Sequence, residues 1–124
     1  MICIDNLKQA SNSWAEKEPF PHFVVDDFFE LKIAETLEAE FPSFDDTIWY
    51  EYGNAIEVKK ACNNWNAFPE TTYKVLSYLN SDNFINLLSE NLFEKISLYA
   101  DPGLNGGGWH IHKKGGKLNT HLDY

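Results

Sequence analysis

Leu31, Ala34, Leu37 and Phe41 recur at helical spacing with Glu35, Glu38 and Glu40 between them, which predicts a helix with one apolar stripe, ended by Pro42. Ahead of it, residues 1–18 are polar and weakly patterned. In Pro19-Phe20-Pro21-His22-Phe23-Val24-Val25-Asp26-Asp27, Pro21 favours an extended approach and Phe23–Val25 reads as a short strand, with Asp26 or Asp27 available as a cap. After Pro42 the pattern becomes irregular. Trp49–Tyr52 and Ile56–Lys59 are strand candidates joined by the turn signal Gly53-Asn54. Tyr73, Leu76 and Leu79 mark a second helix over 70–80. Ser81 is a suitable N-cap for a third, whose face is Phe84, Leu87, Leu88 and Leu92. Beyond Ala100 comes the turn-rich Asp101–Gly108, then alternation in Trp109–His112 and again in Lys117–Tyr124. The intervening Lys113–Gly116 reads as a turn, so two antiparallel strands are expected. Helices first and a sheet last predict an α+β fold in a single domain spanning 1–124.

Composition narrows the classes. The 124 residues are 44% hydrophobic and 15% aromatic, enough for a packed core and too much for a disordered chain. The net charge of −9, with no run of basic residues, argues against a nucleic-acid partner. Two cysteines, Cys3 and Cys62, make no disulfide framework, and a reducing cytoplasm is the expected compartment. The N-terminus does not read as a signal peptide, and no apolar run reaches membrane-spanning length, so no membrane partner is expected.

Three of the four histidines and an aspartate fall in the last fifteen residues. On a strand, His121 and Asp123 share a face, because side chains two apart point the same way. An imidazole nitrogen beside a carboxylate oxygen supplies two ligands of a facial triad, which leaves coordination positions open for a cosubstrate and O₂. A bare His-x-Asp is a short motif that also arises on ordinary surface strands. His110 and His112 are likewise spaced for one strand face. They open a competing assignment, a small non-catalytic metal-binding or sheet-pairing module using His110, His112, His121 and Asp123. Their bland role is that of strand residues facing a polar cleft.

The surroundings of the motif favour the first assignment. Pro19–Phe29, the helix ending Glu40-Phe41-Pro42, the helix Ser81–Leu92, the loop Leu104–His110 and above all Gly115-Gly116-Lys117-Leu118-Asn119-Thr120-His121-Leu122-Asp123 appear in an order that resembles the 2-oxoglutarate/iron(II)-dependent oxygenase superfamily, in its prolyl 4-hydroxylase-like branch. The resemblance implies N-terminal helices followed by the first strands of a double-stranded β-helix (jelly-roll or cupin-like), incomplete in this chain. It implies Fe(II) held by His121 and Asp123, with 2-oxoglutarate and O₂ as cosubstrates. It also implies a role for His112, which falls where related hydroxylases often carry a tyrosine that hydrogen-bonds 2-oxoglutarate. The implied activity is oxidation of a C–H bond in a peptide, amino acid or small molecule, coupled to decarboxylation of 2-oxoglutarate to succinate.

The chain departs from the family after the motif. A second histidine ligand and the arginine that pairs with the distal carboxylate of 2-oxoglutarate do not follow within these 124 residues. The expectation is a piece of a longer protein, a chain completed by a second polypeptide, or a relative without oxygenase activity. An unpaired sheet edge would favour homo-oligomerisation. Of the other notable residues, Trp65 and Trp109 read as core before pocket, Lys113, Lys114 and Lys117 as a solvated turn before a dicarboxylate attractant, Gly106–Gly108 as a turn, and His22 as structural.

Overall fold

A computed structural model describes residues 1–92 and 97–122. The chain is α+β, and its contacts gather into two compact units.

Among the described residues, the first unit, residues 1–40 and 70–102, holds four α-helices: α1 (Ile4–Ser11), α2 (Leu31–Glu40), α3 (Glu70–Leu79) and α4 (Asp82–Leu92). The last three coincide with the helices that the 3.6-residue pattern predicts. α1 escapes that pattern because its inward face is only Leu7 and, one turn on, Ser11, each 2% exposed. Two residues, one of them polar, make no visible stripe. The core is Leu7, Val75 and Phe84, with Thr72 and Ser11 buried beside them, and burial of each apolar side chain contributes on the order of 2 kcal/mol. Phe84 meets the rings of Phe28 and Tyr78 at centroid distances of 6.3 and 5.5 Å. Ser81 caps α4 as expected, its Oγ accepting from the Phe84 N–H at 3.3 Å.

The strand expected at Phe23–Val25 does not form, and Val24 is 72% exposed. The pairing lies further along: Phe29 bridges Ile2, the Cys3 N–H donates to the Phe28 carbonyl at 2.8 Å, and the Glu30 N–H donates to the Met1 carbonyl. Asp26 and Asp27 occupy the turn before this bridge rather than the cap of α2.

α3 is capped by a residue from another helix. The Glu40 carboxylate, at the end of α2, accepts from the N–H groups of Thr71 and Thr72 at 3.0 and 2.7 Å and from the Thr72 hydroxyl at 2.7 Å. These are first-turn N–H groups with no partner inside their own helix, at the positive end of its dipole. Partial burial pushes the Glu40 carboxyl up, but the bonds from Thr72 and Thr71 together outweigh it and hold the group below its ordinary value. The clamp joins the point where the chain leaves this unit to the point where it returns.

The second unit, residues 41–69 and 103–124, is an open antiparallel sheet. β1 (Tyr50–Gly53) and β2 (Glu57–Cys62) form the expected hairpin, with Tyr50 opposite Ala61 and Gly53 opposite Val58. Its turn is held by the Asn54 side chain, which accepts from the N–H groups of Ile56 and Glu57 at 2.9 and 3.0 Å. β3 (Trp109–Ile111) and β4 (Lys117–Leu118) do not pair with each other as a hairpin. Both run antiparallel to β2: Trp109 to Ile111 lie opposite Cys62 to Lys60, and Lys117 and Leu118 lie opposite Val58 and Glu57. They form one interrupted strand on the edge of β2 that β1 leaves open. Where β2 spends the single residue Lys59, the other strand spends residues 112–116, which loop out. This arrangement pairs β2 on both edges, whereas a β3–β4 hairpin would leave one edge largely bare.

Register puts Trp109 and Cys62 on one face and His110, Ala61 and Tyr50 on the other. On the first face Trp109 meets Phe68, Phe41 and Trp49 at 5.0, 5.6 and 6.3 Å, so three of the four tryptophans (with Trp65 against Phe68 at 5.7 Å) join one aromatic cluster. Core packing is therefore the role of Trp65 and Trp109. Cys62, Phe68 and Leu104 are the buried apolar residues here, and neither cysteine forms a disulfide. Among the described residues no helix is long and apolar enough to cross a membrane.

Two substitutions test these joints. Gly108 has φ +98°, and a Cβ there would lie 2.3 Å from the Cys62 carbonyl oxygen. Gly108→Ala is expected to destabilise by about 2–4 kcal/mol in urea unfolding, since it adds a backbone clash to an unfavourable φ. Glu40→Gln is expected to cost about 1 kcal/mol at pH 7. Because the folded Glu40 is the stronger acid, its stabilisation is present above the ordinary glutamate range and disappears as pH falls through the lower folded value. Unfolding midpoints of the two proteins should therefore converge as pH falls below the ordinary glutamate range; a gap that stays undiminished in acid would rule out a charge effect.

Candidate functional site

His110 lies on the interrupted strand, His112 in the loop that interrupts it, and His121 just after it. Gly108 lets the chain approach the Cys62–Asn63 backbone closely enough to start β3. His110 follows on the face opposite the aromatic cluster. There it lines an open depression of about 290 Å³ with Tyr50, Tyr52, Ala61 and Asn63. The ladder stops at Ile111, so His112 leaves the strand, and the shared strand face expected for His110 and His112 is not formed by pairing. His112 is exposed, and its ring lies over Gly116, where a Cβ would sit 3.1 Å from the His112 Nδ1.

β4 carries the chain to Leu118. Asn119 then fastens it to the β1–β2 turn twice: its N–H donates to the Ile56 carbonyl at 2.8 Å and its side-chain amide to the Ala55 carbonyl at 3.0 Å. The ladder runs out here because β2 itself begins at Glu57. His121 is therefore beyond the last strand pair, two residues past a fixed point. It is exposed, and its Nδ1 lies 2.7 Å from the Asn119 carbonyl. A carbonyl only accepts, so Nδ1 carries the proton, and in the neutral ring Nε2 is the nitrogen with the lone pair. Metal-ligating histidines are commonly set this way, by a hydrogen bond from the other ring nitrogen. Asp123, the second expected ligand, lies outside the described residues.

Among the described residues no three His, Cys, Asp or Glu side chains gather into a group able to hold a metal ion, so His110, His112 and His121 do not form one. His22 is tied locally: its backbone N–H donates to the Trp14 carbonyl at 3.1 Å, and its Nδ1 to the Phe20 carbonyl at 2.8 Å.

A feature that sequence reasoning missed lies on the aromatic-cluster face, where the 112–116 loop leaves the sheet. The Lys60 ammonium sits 4.0 Å from the centroid of the Phe44 ring, donates to the Phe44 carbonyl at 2.9 Å and reaches Glu51 at 3.5 Å. The Lys113 ammonium approaches the same ring at 4.7 Å. Only the bulge brings residue 113 to residue 44, and a one-dimensional pattern carries no signal for it.

Comparison of the chain with family models, with curated proteins and with solved structures returned no match.

The Asn119 fastening accounts for where His121 begins. Asn119→Ala should remove the bond to Ala55 at a cost of about 0.5–1.5 kcal/mol in chemical unfolding. It should also broaden or shift the His121 ring resonances; an unchanged His121 spectrum would show that Asn119 does not order the segment.

Proposed function

We propose that this chain is the N-terminal portion of an Fe(II)/2-oxoglutarate-dependent oxygenase whose whole protein oxidises a C–H bond of a peptide, amino acid or small molecule. The observation that carries the reading is the segment Gly115-Gly116-Lys117-Leu118-Asn119-Thr120-His121-Leu122-Asp123, together with the hydrogen bond by which the Asn119 carbonyl holds Nδ1 of His121. Helices combined with an open antiparallel sheet, whose β1–β2 hairpin lies between α2 and α3, support the reading only as far as the α+β class.

In this reading His121 and Asp123 hold the iron, and His112 donates a hydrogen bond to 2-oxoglutarate. Iron with 2-oxoglutarate and O₂ supplies the oxidative chemistry when bound. The chain's own contribution is positional. The Asn119 carbonyl fixes the tautomer and orientation of His121, and the Asn119 side chain ties that segment to the hairpin turn. The third iron ligand and the basic partner for the distal carboxylate are not among these residues, so two ligands would give weak binding.

Anaerobic calorimetric titration with Fe(II) tests the assignment. Saturable, weak binding is expected, reduced about tenfold or more by His121→Ala and by Asp123→Ala and unaffected by His110→Ala. Undiminished binding in the His121→Ala, Asp123→Ala double variant would overturn the site. Loss on His110→Ala with retention on Asp123→Ala would favour the histidine module instead.

A further inference from the structure

We propose that the depression beneath the 112–116 loop is a binding site for a small multivalent anion, a polycarboxylate or a phosphate compound, separate from the iron ligands. It has a volume of about 360 Å³ and is walled by Phe44, Lys60, Lys113 and Lys114, with Lys59, Glu51 and the Val58 region of β2 completing it. Three lysines, Lys60, Lys113 and Lys114, face one carboxylate, Glu51, around this depression in a protein whose overall charge is −9, while the ammonium of Lys59 is paired with Glu57 at 3.0 Å. The local excess of positive charge therefore runs against the protein's general field and concentrates anions at one place.

The site is built rather than incidental. The Lys60 side chain is only 15% exposed and is held by the Phe44 carbonyl and Glu51. Lys113 is presented by a turn that the Gly116 N–H closes onto the Lys113 carbonyl at 2.7 Å. Both ammoniums lie over one ring, at 4.0 and 4.7 Å from its centroid, so they are nearer to each other than the screening length of about 10 Å at 0.1 M salt. Glu51 is a poor neutraliser of the pair: its side chain is 75% exposed and reaches Lys60 only at 3.5 Å. An anion between Lys60 and Lys113, which the Phe44 ring positions, and within reach of Lys114 would relieve their mutual repulsion, while the Phe44 ring screens one side from water. A singly charged ion would engage only part of this set, which is why the expected ligand is multivalent.

The test uses the 124-residue protein without iron or 2-oxoglutarate, at low ionic strength, titrated with pyrophosphate, citrate and chloride and followed by amide NMR and calorimetry. Saturable shifts confined to residues around Phe44, Lys60 and Lys113–Gly116 are expected with pyrophosphate or citrate and not with chloride; which of the two binds more tightly distinguishes phosphate from carboxylate. Lys113→Gln with Lys114→Gln, both exposed and tolerant of change, should weaken binding about tenfold or more, whereas Lys8→Gln with Lys32→Gln should not. Shifts scattered over the surface, or equal losses in the two double variants, would overturn the proposal and leave only diffuse ion attraction.

Discussion

The pairing of β2 on both edges is the constraint from which the second unit follows. A strand of six residues carries backbone donors and acceptors on two sides, and each side needs a partner. β1 meets one side through a short turn. The other is met by a chain that returns after the excursion through α3 and α4, and it is met in two pieces because the sequence between Ile111 and Lys117 is too long for the one residue of β2 that it passes. Gly108 makes this return possible, since any side chain there would collide with the Cys62 carbonyl. Everything of chemical interest hangs from that second edge: His110 in the ladder, His112 and Lys113 in the loop it expels, and His121 just past its end.

In the first unit, the comparable constraint is a charge. α3 starts with first-turn N–H groups that its own sequence does not cap, and Glu40 supplies the acceptor from the end of α2. The residue that finishes one helix thus begins another, and residues 41–69, which carry β1 and β2, leave and return between them. A carboxylate that must stay ionised to do this makes the helical unit sensitive to acid in a way its apolar core is not.

The two proposals for this protein rest on different physics. The iron reading depends on ligand chemistry in a nine-residue motif and on one imidazole whose tautomer is set by a neighbouring carbonyl. The anion reading depends on charges that only the bulge brings together. Neither residue set includes a member of the other: Lys60 lies on β2, Lys113 and Lys114 lie on the loop before β4, and His121 lies after β4.

The helices α2, α3 and α4 and the β1–β2 hairpin were legible from sequence because each is a local pattern: an apolar face at helical spacing, an N-cap serine, a turn asparagine. The elements that were not legible are those whose reason is distant. α1 buries only Leu7 and Ser11, and Phe29 pairs with Ile2 in place of the strand expected at Phe23–Val25. Of the candidate site, the sequence alone nominated His121 and Asp123, because ligand type and spacing are properties of the chain, and His112 through the family resemblance. Tertiary structure alone decided that β3 and β4 share one edge of β2, that the ladder ends before His121, and that Lys60 and Lys113 meet over Phe44. Those outcomes depend on which strand offers unpaired backbone groups and how many residues must be looped out to reach them, and that competition is settled only when the whole sheet is assembled.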